Sequence, residues 1–214
     1  MRVRGQGLLA ALAVLVAPVL GQPPERKVEG NVIASARNPE ARIHLPPSLQ
    51  YVGADRWVLY EIADCELHAF VEADEQQNVR RLVWVQFEGY LPTKPELHHT
   101  YDSPRHATIG GREFFVDTWV KPTAAKPQAG SDGEHIRALI RASDFKLPEC
   151  LMSVRLVHLL DEQKRKELMI IYSEDAASSG FTSTELSEGG TAHDRWFSIE
   201  AALIERATKQ VSFE

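Results

Sequence analysis

The sequence predicts an α+β protein in which an antiparallel sheet of about five to seven strands, flat or curved, packs against two helices, one of them C-terminal. Three observations support this class. Segments rich in β-branched and aromatic residues are joined by short polar turns, which is typical of antiparallel strands. One later hairpin is apolar on both faces, so both of its faces must be covered. Two segments with helical periodicity can supply that cover.

The N-terminus has the pattern of a secretory signal peptide. Arg2 and Arg4 precede an apolar run from Leu8 to Leu20 that ends in Gly-Gln-Pro-Pro. The run has about 13 residues, whereas a helix needs about 20 to span a bilayer. We therefore predict a signal peptide over residues 1–21, cleavage near Gly21, and a secreted or periplasmic protein with no membrane span in its mature chain.

Length and charge limit the remaining classes. Residues 22–30 are rich in proline and charge and are predicted to be a flexible N-terminus, and residues 31–214 have the length of a single α+β domain. The formal charge of the chain is −6, and the leader contains two arginines and no acidic residue, so the mature charge is −8. An acidic chain has no electrostatic reason to bind nucleic acid, and no nucleic-acid partner is expected.

The first predicted hairpin joins residues 57–72 to residues 79–89 through a polar turn at 74–78. Centring the turn there pairs residues whose numbers sum to about 152, so that Cys65 lies opposite Phe87 and Leu67 opposite Val85 on a core face. The alternate face would then carry Glu66 opposite Gln86 and His68 opposite Trp84. A slip of one residue would exchange the two faces.

The other predicted elements follow in order. A strand over 113–120 is followed by a helix near 132–143, where Ser131 and Glu134 have the spacing of a capping box. The apolar hairpin joins 152–160 to 167–172, and the clearest helical periodicity covers 194–211.

The chain has two cysteines, Cys65 and Cys150. In an oxidising compartment, a single disulfide between them is the natural pairing. Two separately buried thiols are the alternative.

A small-molecule site is one interpretation of the polar hairpin face. The candidate ligand-binding residues are Glu66, His68, Trp84, Glu88, Asp117 and Trp119. Tryptophans provide an apolar floor, and a histidine beside carboxylates provides polar contacts, which together are the usual composition of a ligand pocket. An exposed strand face with no ligand would carry the same residue types.

The segment LHHTYDSPRH suggests a metal site. Its candidate ligands are His98, His99, Asp102 and His106, which are residue types that bind zinc and similar ions. Adjacent histidines point apart in extended chain, so His98 and His99 are not expected to share one ion. A hydrated surface loop is the alternative.

Three hypotheses remain open. The preferred one is an exported, non-catalytic module that binds a small molecule or a protein partner, with no cofactor. The second is a metal-dependent, hydrolase-like enzyme that uses a divalent ion at the His98–His106 loop. The third is a structural envelope or interaction protein. The sequence contains no G-x-S-x-G motif and no Walker loop, which disfavours serine hydrolase and nucleotide chemistry.

Overall fold

The computed structural model describes residues 22–214 and confirms the α+β class, with 11 strands in two antiparallel sheets and three α-helices. The predicted signal peptide and its cleavage site lie outside the described residues and stay predictions. No helix in the described range has the length and apolar character needed to cross a membrane.

Four short strands form the small sheet: β1 Lys27–Glu29, β2 Val32–Ala36, β3 Glu40–His44 and β11 Ser212–Phe213, in the order β1-β2-β3-β11. Seven longer strands form the large sheet: β4 Gln50–Leu59, β5 Ala63–Ala73, β6 Val79–Tyr90, β7 Arg105–Ile109, β8 Arg112–Pro122, β9 Cys150–Leu159 and β10 Lys166–Asp175, in the order β4-β5-β6-β10-β9-β8-β7. The helices are α1 Asp132–Ala142, α2 Ser183–Leu186 and α3 His193–Lys209.

The large sheet separates two hydrophobic cores. On one face, here called the small-sheet face, residues such as Phe70 and Ile170 pack against β2, β3 and α3. On the opposite face, here called the helix face, α1 packs Ile136 and Ile140 against β5. Central strands are therefore apolar on both faces, as the pattern of the second hairpin predicted.

The predicted strand over 57–72 is two strands in the structure. β4 ends at Leu59 and β5 begins at Ala63, and the chain reverses through Tyr60 and Glu61. Both are central residues of a β-turn closed by the hydrogen bond from Ile62 N–H to the Leu59 carbonyl, and both have positive φ, 47° and 60°, as a type I′ turn requires. This turn was missed because neither position carries the glycine or asparagine that usually signals it.

The predicted register between β5 and β6 is wrong by one residue. Cys65 lies opposite Glu88, and Leu67 lies opposite Gln86. Next to the turn, Ala73 pairs with Val79 as the prediction requires, but the ladder shifts between Glu72 and Ala73. This bulge adds one residue to β6, so every residue of β5 beyond it pairs with a β6 residue one position later than predicted.

The two predicted helices are found, with each end within two residues of the predicted one. The predicted capping box on α1 is not formed. Ser131 is the N-cap residue, but its hydroxyl donates to the carbonyl of Gln128, and the Glu134 carboxylate accepts from the N–H of Gly130. These two hydrogen bonds close the loop before α1, in place of the two bonds of a capping box.

The predicted disulfide is absent, because both cysteines are free thiols and both are buried. Cys65 lies on β5 and Cys150 lies at the start of β9, and β6 and β10 separate these strands. Three strand spacings alone separate β5 from β9 by about 14 Å, twice the Cα separation that a disulfide tolerates. The cysteines lie farther apart still, because the residue of β9 in register with Cys65 is Leu159, at the opposite end of the strand from Cys150. The two thiols belong to different cores, one on each face of the sheet.

Candidate functional site

The observed register divides the six predicted ligand-binding residues between the two faces of the large sheet. Glu66 and His68 point to the small-sheet face, whereas Trp84, Glu88, Asp117 and Trp119 lie on the helix face. The structure therefore brings four of the six residues to one face, and places the other two in a separate environment.

Glu66 and His68 form a buried anchor for the N-terminal segment. Each side chain is 1% exposed, and Nε2 of His68 lies 2.9 Å from Oε1 of Glu66. The Glu66 carboxylate also accepts hydrogen bonds from the backbone N–H groups of Glu25 and Arg26, at 2.8 and 2.9 Å. Part of the segment 22–30, which we predicted to be flexible, is strand β1 and is attached to the large sheet at this point.

The hydrogen bonds at this anchor also set the charge of Glu66. Burial alone raises the pKa of Glu66, but the hydrogen bonds from His68, Glu25 and Arg26 outweigh it and lower the pKa to about 2. The carboxylate is therefore ionised and fully partnered, which is the environment of a structural contact.

Trp84 and Trp119 line a cavity of about 590 Å³ between α1, the loop that precedes it and the helix face. Met169 and Ile171 complete an apolar floor with them. This volume is in the range of small-molecule sites. The indole Nε1 of Trp84 is buried and has no hydrogen-bond partner within the described range, so a polar donor is available beside the floor.

Four basic side chains and one acidic side chain line the same cavity: Lys121, Lys126, Arg137, Arg155 and Asp132. Arg155 forms a salt bridge of 2.6 Å with Asp117. Asp117 does not line the cavity itself, but it holds the Arg155 side chain that does. The Lys121 ammonium lies 5.6 Å from the centre of the Trp119 ring. The rim therefore combines positive charge with aromatic surface.

Beside the cavity, Glu88, His99 and Glu167 form a group that we call the Glu88 cluster. One donor atom from each residue lies within 4.8 Å of the other two. Nδ1 of His99 is 3.0 Å from Oε2 of Glu167, and the Tyr101 hydroxyl donates to the same oxygen at 2.5 Å. Glu88 also belongs to a second group, with Cys65 and Asp132.

Burial determines the protonation states in the Glu88 cluster. Burial, together with the negative charge of Asp132, raises the pKa of Glu88 to about 7. Burial raises the pKa of Glu167 to about 7 despite the hydrogen bond from Tyr101. The pKa of His99 is lowered to about 4, also by burial, so this imidazole is neutral at pH 7.

The structure does not bring the predicted metal ligands of the LHHTYDSPRH segment together. His98, Asp102 and His106 are exposed, and only His99 is buried. His106 lies on the edge strand β7, where its Nδ1 is 3.2 Å from Glu113. His98 is exposed and the adjacent His99 is buried, so the two side chains lie in different environments, as expected.

Sequence reasoning missed Glu167, Gln86 and Asp132. Glu167 had a visible signal, because it is a lone carboxylate at the start of an apolar strand that is covered on both faces. Gln86 alternates with Trp84 and Glu88 along β6, but the incorrect register placed it opposite Glu66.

Comparisons with protein-family models, with curated proteins and with solved structures found no match to this chain. The fold and the site define an α+β protein with a ligand-sized cavity on one face of a seven-stranded antiparallel sheet.

Proposed function

We propose that this protein is a non-catalytic binding module for a small apolar molecule that carries an acidic group. The single observation that carries the proposal is the cavity of about 590 Å³, which combines a floor containing two tryptophans with four basic side chains and one acidic side chain. Apolar surface supplies most of the affinity in such sites, and a few charged groups determine specificity.

The basic side chains favour an anionic ligand. Within the described residues, no carboxylate lies within salt-bridge distance of Lys121 or Lys126. Both lysines are exposed at the rim, so their ammonium groups remain hydrated in the protein without ligand. An acidic group placed near them would gain charge-assisted hydrogen bonds while the apolar part lies on the tryptophans.

The hydroxyl groups in the cavity support binding over catalysis. Ser153 and Ser173 are the cross-strand residues below the ligand space, and their Oγ atoms are 2.8 Å apart. One hydroxyl therefore donates to the other, and no histidine of the described residues is hydrogen-bonded to either as an activating base.

The experiment compares dodecanoate with dodecanol, two ligands with the same chain and different head groups, by calorimetry and tryptophan fluorescence. Dodecanoate should bind more tightly than dodecanol, and Trp119→Ala should weaken dodecanoate binding about tenfold or more. Trp196→Ala is the matched control, because Trp196 lies on α3 on the other face of the sheet. Absence of dodecanoate binding, or equal weakening by both substitutions, would overturn the proposal.

A further inference from the structure

We propose that Glu88, His99 and Glu167 bind one divalent metal ion of the zinc class. This site shares only His99 with the predicted His98–His106 set, and it is independent of the ligand proposed for the cavity. Three features of the part of the chain that the structure describes carry the proposal: paired carboxylates without a cation, buried polar atoms without partners, and a path from solvent.

The first feature is the direct pairing of two acidic residues. Glu88 on β6 and Glu167 on β10 are opposite each other in the sheet ladder. Like charges at paired positions destabilise a sheet, and burial increases the cost of each charge. A cation between the two carboxylates would remove both costs, and the neutral imidazole of His99 adds a nitrogen ligand at the same point.

The second feature is a set of buried atoms with no hydrogen-bond partner. Gln86 is 0% exposed and donates from Nε2 to Glu88 at 3.2 Å, so its amide group lies beside Glu88, yet its Oε1 has no partner among the described residues. Nε2 of His99 is also buried, and no group in residues 22–214 is its partner. Buried polar atoms are almost always partnered, so such a concentration beside one cluster points to a missing ligand.

The surroundings hold the three ligands in place. The Tyr101 hydroxyl orients Glu167, and Gln86 orients Glu88. The N–H of His99 donates to the carbonyl of Lys164, and the neighbouring Arg165 donates to three carbonyls of the loop before His99. Contacts of this kind, one step away from the ligands, usually accompany metal sites.

The third feature is access. Glu88 is only partly buried, whereas His99 and Glu167 are buried, so one side of the cluster is open to solvent. An ion can therefore reach Glu88 without passing through the hydrophobic core. One imidazole and two carboxylates match the three-ligand zinc sites that leave a fourth position open, and they are poorly suited to calcium, which prefers six or more oxygens.

The test is a titration of the chelator-treated chain with zinc by calorimetry and with cobalt(II) by absorption spectroscopy. We expect one equivalent of either ion, with cobalt d–d bands and no thiolate charge-transfer band. Glu88→Gln, His99→Gln and Glu167→Gln should each lower affinity by about 100-fold or more. His98→Gln is the matched control, because His98 is the adjacent and exposed histidine.

Two results would overturn the proposal. The first is no binding of either ion, which would mean that protons alone neutralise the carboxyl pair. The second is a thiolate band that disappears in Cys65→Ser, which would place the ion in the group formed by Cys65, Glu88 and Asp132. Both measurements are made first on the unsubstituted chain, so a variant that does not fold leaves the test intact.

Discussion

Glu88 on β6 lies directly opposite Glu167 on β10, and burial raises the pKa of both carboxyl groups to about 7. At neutral pH, the metal-free chain therefore holds protons on this pair that the unfolded chain has released. At high pH the two carboxylates are both charged and destabilise the fold. The same pair is the strongest candidate for a cation site.

We expect the metal-free protein to lose stability as pH rises from 5 to 8. A carboxyl group whose pKa increases from 4.5 in the unfolded chain to about 7 on folding stabilises the fold fully only below 4.5, and that contribution of ~3 kcal/mol is lost as pH rises through 7. Urea unfolding in the presence of a chelator at the two pH values measures this loss. Glu167→Gln should reduce it, and Glu162→Gln, at an exposed position, should not.

Glu66 should have the opposite pH dependence. Its pKa is about 2 in the folded chain and 4.5 in the unfolded chain, so its stabilising contribution is present above 4.5 and is lost as pH falls towards 2. Glu66→Gln should remove this acid sensitivity and should increase hydrogen exchange at the amides of Glu25 and Arg26, which donate to the carboxylate. Unchanged exchange at these amides would contradict the anchor.

The local sequence pattern was sufficient to predict the helices and the apolar second hairpin, because their periodicities depend on residues that are close in the chain. The register of β5 with β6 was not predictable to within one residue, because it depends on the bulge at Glu72 and Ala73. Because of that single shift, Glu66 and His68 lie on one face of the sheet, and Trp84 and Glu88 lie on the other. A composition-based argument had no means of detecting it.

The Glu88 cluster was also beyond local reasoning. His99 was selected for its neighbours His98 and His106, but its partners in the structure are Glu88 and Glu167, on two different strands. β6 and β10 are separated by four elements along the chain and are adjacent in the sheet. Only the strand order brings these two carboxylates to the histidine.

Removal of Arg206 should destabilise the docking of α3. Arg206 donates to Glu174 from Nε and Nη2 at 2.7 and 2.8 Å, and Glu174 is only 7% exposed. Arg206→Ala leaves the Glu174 carboxylate with the Tyr172 hydroxyl but without the guanidinium, which costs about 1–3 kcal/mol. Urea unfolding should show this loss, and adding Glu174→Gln should recover much of it. Lys209→Ala removes an exposed pair with Glu205 and should cost less than about 0.5 kcal/mol.

The two cysteines should remain thiols even after isolation from an oxidising environment. Cys65 and Cys150 lie on strands that are three positions apart in the large sheet and face different cores, so a bond between them would require the sheet to break. Intact-mass measurement should show no two-hydrogen deficit. A thiol reagent should modify both residues in denaturant and react slowly with the folded chain, because both side chains are buried. A deficit that reduction restores, in a protein with native spectra, would show that this strand order is wrong.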